Sequence, residues 1–398
     1  MGKKKRNNSN LYTELKLLVL CSVDIQTQKQ KKDMLKLLQM NIDWEKFFQL
    51  AVKHRTYPLV SKNLKNIELG NMEGLILIEE LSSMNQLDSF LQMSELLRLM
   101  NNFKKMDIKA MAVKGPALSN YVYSDMSMRV SRDIDILVSI DDLTIVDRIL
   151  VGEGFVPIEA SKQAFLQYKN YVLKNFHHTS YKNEIGIQLE LHWCLNEGDD
   201  TLSFETLWEY RKENQIYGRT VNLLNDEENL IYLIVHGSKH AWKRLRWICD
   251  IYEITYKKEL DWNYIVRKMK KQGKLHLLHQ TFLLLNKLFQ CQPPVTLKAS
   301  GKVRRAGRHL AAIALQFLIN TEEEPEAYGQ SLFYLYKRYM FIWNKGIFKK
   351  LRYLLGHFRP TLEDLAVEKR KGKRFLLYYV ARPFQIIKRL AIRRNLDK

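Results

Sequence analysis

Two aspartates, Asp133 and Asp135, stand two residues apart in the apolar run of residues 133–138. If this run is a β-strand, its period of two puts both carboxylates on one face, while Ile134 and Ile136 point to the other. Two neighbouring carboxylates repel each other, and a divalent cation relieves that repulsion. Hard oxygen ligands with open positions suit Mg²⁺ that also holds substrate phosphates. A carboxylate pair on a solvated strand edge is the plain alternative.

A third carboxylate follows in a later alternating run. Residues 188–193 alternate so that Glu190 and His192 share one face, and Trp193 closes the run. An alternating run also precedes Gly186, and this arrangement predicts a β-hairpin. If the hairpin neighbours the strand of the aspartates, Glu190 adds a third carboxylate to the same site.

A glycine turn precedes the aspartate strand. The short apolar run of residues 110–113 ends at Lys114 and Gly115, and Pro116 opens a helical pattern. Proline suits the first helical position, where its missing N–H costs nothing. A helix start presents free backbone N–H groups and positive dipole charge, and Lys114 adds a full charge, so the turn suits a phosphate. An exposed lysine at a strand end is the alternative.

Two arginines, Arg129 and Arg132, flank the aspartates. Guanidinium groups bind both phosphates and carboxylates by paired, charge-assisted hydrogen bonds. Both arginines are therefore candidates to neutralise triphosphate charge, and simple pairing with the acidic strand residues is an equal alternative.

A polar stripe lies on a later helical pattern. Asn225, with Glu228 three residues on, forms a capping-box pairing, and the helix is predicted to run to about residue 256. Spacings of four and three put five residues of this helix on one face: His236, His240, Lys243, Trp247 and Asp250. The stripe could contact an acceptor or stack on a base. Histidines packed under the sheet, or a two-histidine metal site, are the alternatives.

Taken together, these motifs resemble a known family, the bacterial "uncharacterised nucleotidyltransferase" branch of the DNA polymerase beta-like nucleotidyltransferase superfamily. The resemblance rests on residues 113–118, 132–138, 190–193 and 236–250, with a weaker echo at residues 54–59. The combination is specific, although no single motif is.

The resemblance implies a small mixed sheet in which Asp133, Asp135 and Glu190 hold two Mg²⁺ ions. These ions would align the α-phosphate of a nucleoside triphosphate with an acceptor hydroxyl. The superfamily commonly has Gly-Ser at the glycine turn, and here Lys114 is the natural substitute for the missing serine. The predicted nucleotide-binding residues are Lys114, Gly115, Arg129 and Arg132, and those predicted for acceptor contact or support are His192, Trp193, His236, His240, Trp247 and Asp250.

The whole sequence predicts an α+β fold. The chain has 398 residues, of which 46% are hydrophobic, so it is not a disordered chain, and its length favours more than one structural unit. We expect a small mixed-sheet core embedded between N-terminal and C-terminal helical regions. The predicted parts are an N-terminal helical region (1–108), the nucleotidyltransferase α/β core (109–200), a helical region packed on the core (201–320) and a basic helical tail (321–398).

The charge is strongly positive, with 64 Lys and Arg against 43 Asp and Glu. Most of the excess lies in residues 331–398, where aromatic and aliphatic side chains alternate with basic ones. This mixture fits an interfacial helix on an anionic membrane surface, and it fits a helix docked on the core with a solvated basic face equally well. Contact with nucleic acid is a further alternative.

No apolar stretch reaches the length of a membrane-spanning helix, and the basic N-terminus is not followed by a signal-peptide pattern. We therefore expect a cytoplasmic protein that could lie at the inner face of the membrane. The expected function is Mg²⁺-dependent transfer of a nucleoside monophosphate from a nucleoside triphosphate to a hydroxyl or phosphate acceptor on a small molecule, glycan or peptide. The alternatives are an inactive or weakly active relative that binds membrane or nucleic acid, and a nucleotidyltransferase that acts on RNA ends.

Overall fold

The computed structural model describes residues 11–65, 67, 73–196, 202–320, 330–356 and 359. Its helices are α1 (Thr13–Cys21), α2 (Gln28–Leu38), α3 (Trp44–Lys53), α4 (Tyr57–Leu64), α5 (Glu73–Lys105), α6 (Gly115–Tyr123), α7 (Leu143–Gly152), α8 (Glu159–Asn175), α9 (Phe204–Glu209), α10 (Asp226–Lys239), α11 (Leu245–Lys257), α12 (Trp262–Lys271), α13 (Leu275–Phe289), α14 (Gly301–Ile319), α15 (Gln330–Trp343) and α16 (Ile347–Gly356). Its strands are β1 (Ala110–Ala112), β2 (Asp133–Val138), β3 (Phe155–Pro157), β4 (His178–Asn183), β5 (Gln188–His192), β6 (Lys212–Ile216) and β7 (Arg219–Leu223).

The strands form one mixed sheet in the order β3-β4-β5-β2-β1-β7-β6. Strands β3, β4 and β5 pair antiparallel, as do β6 and β7, whereas β1 runs parallel to β7 with Ala112 opposite Leu223. Strand β2 is buried from its second residue onward, as expected for a strand in the middle of a sheet covered on both faces. The predicted α+β fold, with a mixed sheet between helical regions, is confirmed.

The chain divides into two compact units. The first contains the chain up to Asp135 and residues 205–343, and the second contains residues 136–204 and the chain from residue 344. Asp133 and Asp135 therefore belong to the first unit, and Glu190 belongs to the second. The four-part division read from the sequence stays a prediction.

Helix starts follow their capping signals. The side chain of Asp43 accepts a hydrogen bond from the backbone N–H of Lys46 at 3.0 Å and thereby begins α3. Asn225 begins α10 in the same way, with the N–H of Glu228 at 2.9 Å. Such caps satisfy backbone donors that have no partner within the helix.

One histidine joins three helices of the first unit. His54, which ends α3, is fully buried. Its Nδ1 accepts a hydrogen bond from the backbone N–H of Leu245 at 3.1 Å, so Nε2 carries the proton and donates to the carbonyl oxygen of Leu318 at 3.0 Å. Burial, together with the charge of Lys53, lowers the pKa of this imidazole well below its ordinary value. The neutral ring therefore connects the end of α3 with the start of α11 and the end of α14.

The prediction that residues 201–320 are helical is wrong for residues 212–223. These residues form the antiparallel strands β6 and β7, which a two-residue turn joins. Tyr217 and Gly218, at that turn, both have positive φ angles, 48° and 73°. Positive φ at both central residues is typical of the tight turns whose twist matches a hairpin. The sequence analysis did not predict these strands because β6 is almost entirely polar and the alternation in β7 is limited to Val221 and Leu223.

The prediction of one helix from residue 225 to about residue 256 is also wrong. Helix α10 ends at Lys239, and Ala241 and Trp242 adopt left-handed φ angles of 52° and 53° before α11 begins. The indole of Trp242 is fully buried, and a Cβ on Gly237 would lie 2.4 Å from its Cζ3 atom. The ring thus folds back onto α10 against the glycine, which requires the chain to leave the helical path.

Helix α15, which lies within the predicted basic tail, belongs to the packed structure. In α15, Tyr339 is fully buried, and its hydroxyl donates to the carbonyl oxygen of Ser238 at 2.7 Å. The indole Nε1 of Trp343 donates to the hydroxyl of the same serine at 3.0 Å. Residues 360–398, which include the basic and aromatic segment considered for membrane contact, lie outside the described residues. Among the helices that the structure describes, none has the length and apolarity that crossing a membrane requires.

We expect acidification to destabilise the chain through His54. The unfolded imidazole takes up a proton below a pH of about 6.5, whereas the folded one, with its lowered pKa, does not. The stabilising contribution is therefore complete above that pH and decreases as the pH falls below it. Between pH 7 and about pH 5 the loss should be about 2 kcal/mol. Urea unfolding of the wild type and of His54→Asn at both pH values measures it. An equal loss in the two proteins would contradict the assignment.

Candidate active site

The glycine turn lies against the start of strand β2. Gly115 has a φ angle of 71°, and a Cβ at this position would lie 3.1 Å from the carbonyl oxygen of Asp133. Immediately before the turn, the backbone N–H of Val113 donates to the carbonyl oxygen of Asp135 at 3.1 Å. The end of β1 and the turn thus lie directly against the backbone of β2, and glycine is required at the point where the two backbones approach each other.

This backbone arrangement brings Lys114 to Asp135. The ammonium Nζ lies 2.8 Å from Oδ1 of the aspartate, with 12% of the lysine side chain and none of the aspartate side chain exposed. Asp133, at the first position of β2, is only half-buried. The two aspartates therefore differ: one is buried and ion-paired, and the other lies at the partly exposed start of the strand.

Arg129 forms a second buried ion pair, with a partner that the sequence pattern did not indicate. Its Nε lies 2.9 Å from Oδ2 of Asp250, and the hydroxyl of Tyr123 donates to Oδ1 of the same carboxylate at 2.9 Å. Burial opposes the charge of Arg129, but the carboxylate more than offsets it, so the pKa of the guanidinium is raised. Arg132, by contrast, is exposed.

The three rings of the predicted polar stripe meet although the helix is broken. The ring centroids of His236 and His240 are 4.9 Å apart, and those of the two histidines lie 5.6 Å and 5.4 Å from that of Trp247. Burial, followed by the charge of Lys114, lowers the pKa of His236 well below its ordinary value. Burial and the charge of Lys239 lower the pKa of His240 to about 3. Two neutral imidazoles and an indole therefore form an uncharged aromatic cluster within the electrostatic reach of Lys114.

Glu190 lies between two histidines of the second unit. His178 of β4 stands directly opposite His192 of β5. The Nε2 atom of His192 lies 3.2 Å from one oxygen of Glu190, and that of His178 lies 3.6 Å from the other. His177 joins this group, so that the ring nitrogens of the three histidines lie within 4.8 Å of one another. Imidazole ligands suit transition metals, whereas Mg²⁺ prefers the oxygens of the carboxylate.

Trp193 has a packing role at the end of β5. It is buried, its indole Nε1 donates to the carbonyl oxygen of Leu173 at 3.2 Å, and its ring meets the edge of Phe165. These contacts anchor the end of the strand that carries Glu190.

Sequence reasoning missed Tyr123 as a partner of the site. Its hydroxyl shares Asp250 with Arg129, and burial raises its pKa well above the ordinary value. A tyrosine at the end of a short helix gives no signal of this contact, because the partner lies 127 residues away in the chain.

Residues 40–290 match the model of a family described as "Uncharacterised nucleotidyltransferase", and the chain belongs to that family. The resemblance read from the sequence motifs is confirmed. A search of curated proteins gives no match. Among solved structures, the crystal structure of an antigenic nucleotidyltransferase-like protein from Paracoccidioides brasiliensis is similar at 15% identity, covering 54% of this chain and 94% of that chain, with a TM-score of 0.31.

We expect Gly115→Ala to destabilise the protein more than the matched substitution Gly218→Ala. Both glycines have positive φ angles near 70°, so each alanine costs about 1 kcal/mol or somewhat more. Only at Gly115 does the new Cβ also meet a backbone oxygen, whereas Gly218 faces open space. Urea unfolding measures both free energies. Equal losses in the free energy of unfolding would show that strand β2 moves to accommodate the new Cβ at position 115.

Proposed function

We propose that this chain transfers a nucleoside monophosphate from a nucleoside triphosphate to an oxygen of an acceptor, in an Mg²⁺-dependent reaction that releases pyrophosphate. The observation that carries the proposal is the buried pair of Lys114 and Asp135 at a helix start. Backbone contacts at this point hold together Lys114, the start of α6 and strand β2 with its two aspartates. Membership of the nucleotidyltransferase family supports the same reaction class.

The carboxylates of β2 suit Mg²⁺ by their chemistry. Asp133 and Asp135 offer hard oxygen ligands on alternate positions of one strand, and the partial exposure of Asp133 leaves room for water or phosphate oxygens. Glu190 is the third proposed ligand, because a further carboxylate supplies another hard oxygen donor of the kind that Mg²⁺ prefers. Bound to these carboxylates, Mg²⁺ would neutralise phosphate charge and polarise the α-phosphate.

Lys114 is proposed to bind the triphosphate. Its ammonium neutralises Asp135, and phosphate oxygens are competing partners for the same charge. The start of α6 adds backbone N–H groups and the positive end of the helix dipole. The aromatic cluster of His236, His240 and Trp247 is neutral and flat, and is proposed to contact the base or the acceptor without competing for the phosphates.

The reaction then proceeds by one substitution at phosphorus. The acceptor oxygen forms a bond to the α-phosphorus, and the bond from that phosphorus to the oxygen bridging to the β-phosphate breaks. The electron pair leaves with pyrophosphate, and the proton of an acceptor hydroxyl passes to a carboxylate of the site. Because Arg129 and Tyr123 both contact the carboxylate of Asp250 and are buried, we assign them a positioning role.

We expect Asp133→Asn, Asp135→Asn and Glu190→Gln each to reduce nucleotidyl transfer by about a hundredfold or more, because each removes charge needed at the reacting phosphate. Asp141→Asn and Glu184→Gln alter exposed acids close to the same strands and should leave transfer unchanged. Incubation with each α-labelled triphosphate, Mg²⁺ and a host-cell extract, followed by identification of the labelled product, measures transfer. Binding of Mn²⁺, followed by electron paramagnetic resonance, gives a second measurement. Full activity in all three variants would refute the catalytic assignment.

Lys114→Ala should raise the KM for the triphosphate by about tenfold or more, because a charge-assisted contact to phosphate is lost. Lys114→Arg should keep part of the affinity. Lys109→Ala removes an exposed lysine just before β1 and serves as the control. Titration of the triphosphate against each variant measures the effect. Unchanged affinity in Lys114→Ala would leave the lysine as a partner of Asp135 alone.

A further inference from the structure

One buried arginine of the first unit has unsatisfied donors. Arg246, in the first turn of α11, is 9% exposed. Within the described part of the chain, neither its Nε nor its Nη1 has a hydrogen-bond partner. A buried charge without partners is strongly destabilising, so its presence calls for a compensating group.

Two further buried arginines act electrostatically on Arg246. Arg55 and Arg129 are also buried, at 8% and 3% exposure. Asp250 lies four residues further along α11, but its two oxygens already accept from Tyr123 and Arg129. Burial, and then the charges of Arg129 and Arg55, lower the pKa of Arg246 well below its ordinary value. The protein therefore presents a guanidinium whose neighbouring carboxylate is already in use.

Hydrogen bonds to His54 join the segments that carry Arg55 and Arg246. His54 accepts from the N–H of Leu245 through its ring and, through its carbonyl oxygen, from the N–H of Arg246 at 3.4 Å. Arg55 itself has a left-handed φ angle of 54°. The next residue, Thr56, is fully buried, and among the described residues its hydroxyl has no hydrogen-bond partner. Unsatisfied polar groups thus occur on both segments that His54 joins, at Thr56 on one and at Arg246 on the other.

We propose that Arg246, with Arg55 on the adjoining segment, binds a phosphoryl group of one of the substrates. This inference rests on the proposed function, because nucleotidyl transfer is what brings phosphoryl groups to the first unit. The planar guanidinium fork matches two oxygens of a phosphoryl group, and a dianion balances charge that Asp250 does not. The phosphoryl group belongs either to the donor triphosphate or to a phosphorylated acceptor.

Inorganic phosphate is the first probe. We expect calorimetric titration to show phosphate binding to the wild-type chain and thermal melting to show stabilisation by phosphate. Arg246→Met should weaken that binding by about tenfold or more, since removing one partner of a buried charge contact has a large effect. Without phosphate, the same variant should melt at or above the wild-type temperature, because an unpaired buried charge is gone. Arg267→Met removes an exposed arginine of the same unit and should change neither property.

The opposite pattern would overturn the proposal. If Arg246→Met melts well below the wild type and still binds phosphate equally well, Arg246 is a structural cation. Arg246→Lys keeps the charge without the fork, and should fold and bind phosphate with intermediate affinity. Should the methionine variant fail to fold, wild-type affinity in the lysine variant would also refute a fork-specific contact.

Two further arms identify the source of the phosphoryl group. Competition between inorganic phosphate and α,β-methylene-ATP, abolished in Arg246→Met, supports the site and assigns it to the donor. Simultaneous binding of both, with only phosphate affected by Arg246→Met, supports the site and assigns it to the acceptor. Asp135→Asn should lose transfer and keep phosphate binding. A wild-type chain that binds phosphate through Arg246 but transfers no nucleotide would contradict the proposed function alone, whereas transfer without such binding would contradict this inference alone.

Discussion

The balance of buried charge is the constraint on which the first unit depends. Two carboxylates, Asp135 and Asp250, are completely or almost completely removed from water, and each pairs with a buried or nearly buried cation. A buried ion pair contributes little net stability, but removing one partner is costly. The pairs therefore fix which elements must be adjacent: Lys114 ties the glycine turn to β2, and Arg129 ties the segment before β2 to α11.

Neutral histidines complete this charge arrangement. His54, His236 and His240 all have lowered pKa values, so the first unit gains no further positive charge from them at neutral pH. For His54, both ring nitrogens are used in backbone hydrogen bonds that only the neutral ring can make together. For His236, burial and the charge of Lys114 both lower the pKa. The positive charges of this region thus stay at a few defined positions, while the surrounding rings are uncharged.

Local patterns predicted the elements that carry the carboxylates, because strand alternation and glycine turns are short-range signals. Strand β2, the hairpin of β4 and β5, and the helix after Gly115 follow from residues within a few positions of one another. The partner of Arg129 could not be predicted, since Asp250 is 121 residues away and only packing brings the two together. The hairpin of β6 and β7 was not predicted because β6 is almost entirely polar and the apolar alternation of β7 is only two residues long. The break before α11 was not predicted because no proline or glycine marks it in the sequence. It goes with the packing of the Trp242 ring against Gly237.

That break determines how the residues around the site are distributed. On one continuous helix, His236, Trp247 and Asp250 would share a single face. Because the chain turns at Ala241 and Trp242, α11 starts in a new direction, and Trp247 still reaches the two histidines while Asp250 reaches Arg129 and Tyr123. The same turn puts the N–H groups of Leu245 and Arg246 against His54. The packing of Trp242 on Gly237 therefore lets α11 carry three residues with different contacts. Trp247 contacts the two histidines of the candidate site, Asp250 contacts Arg129 and Tyr123, and Arg246 lies on the segment joined to that of Arg55.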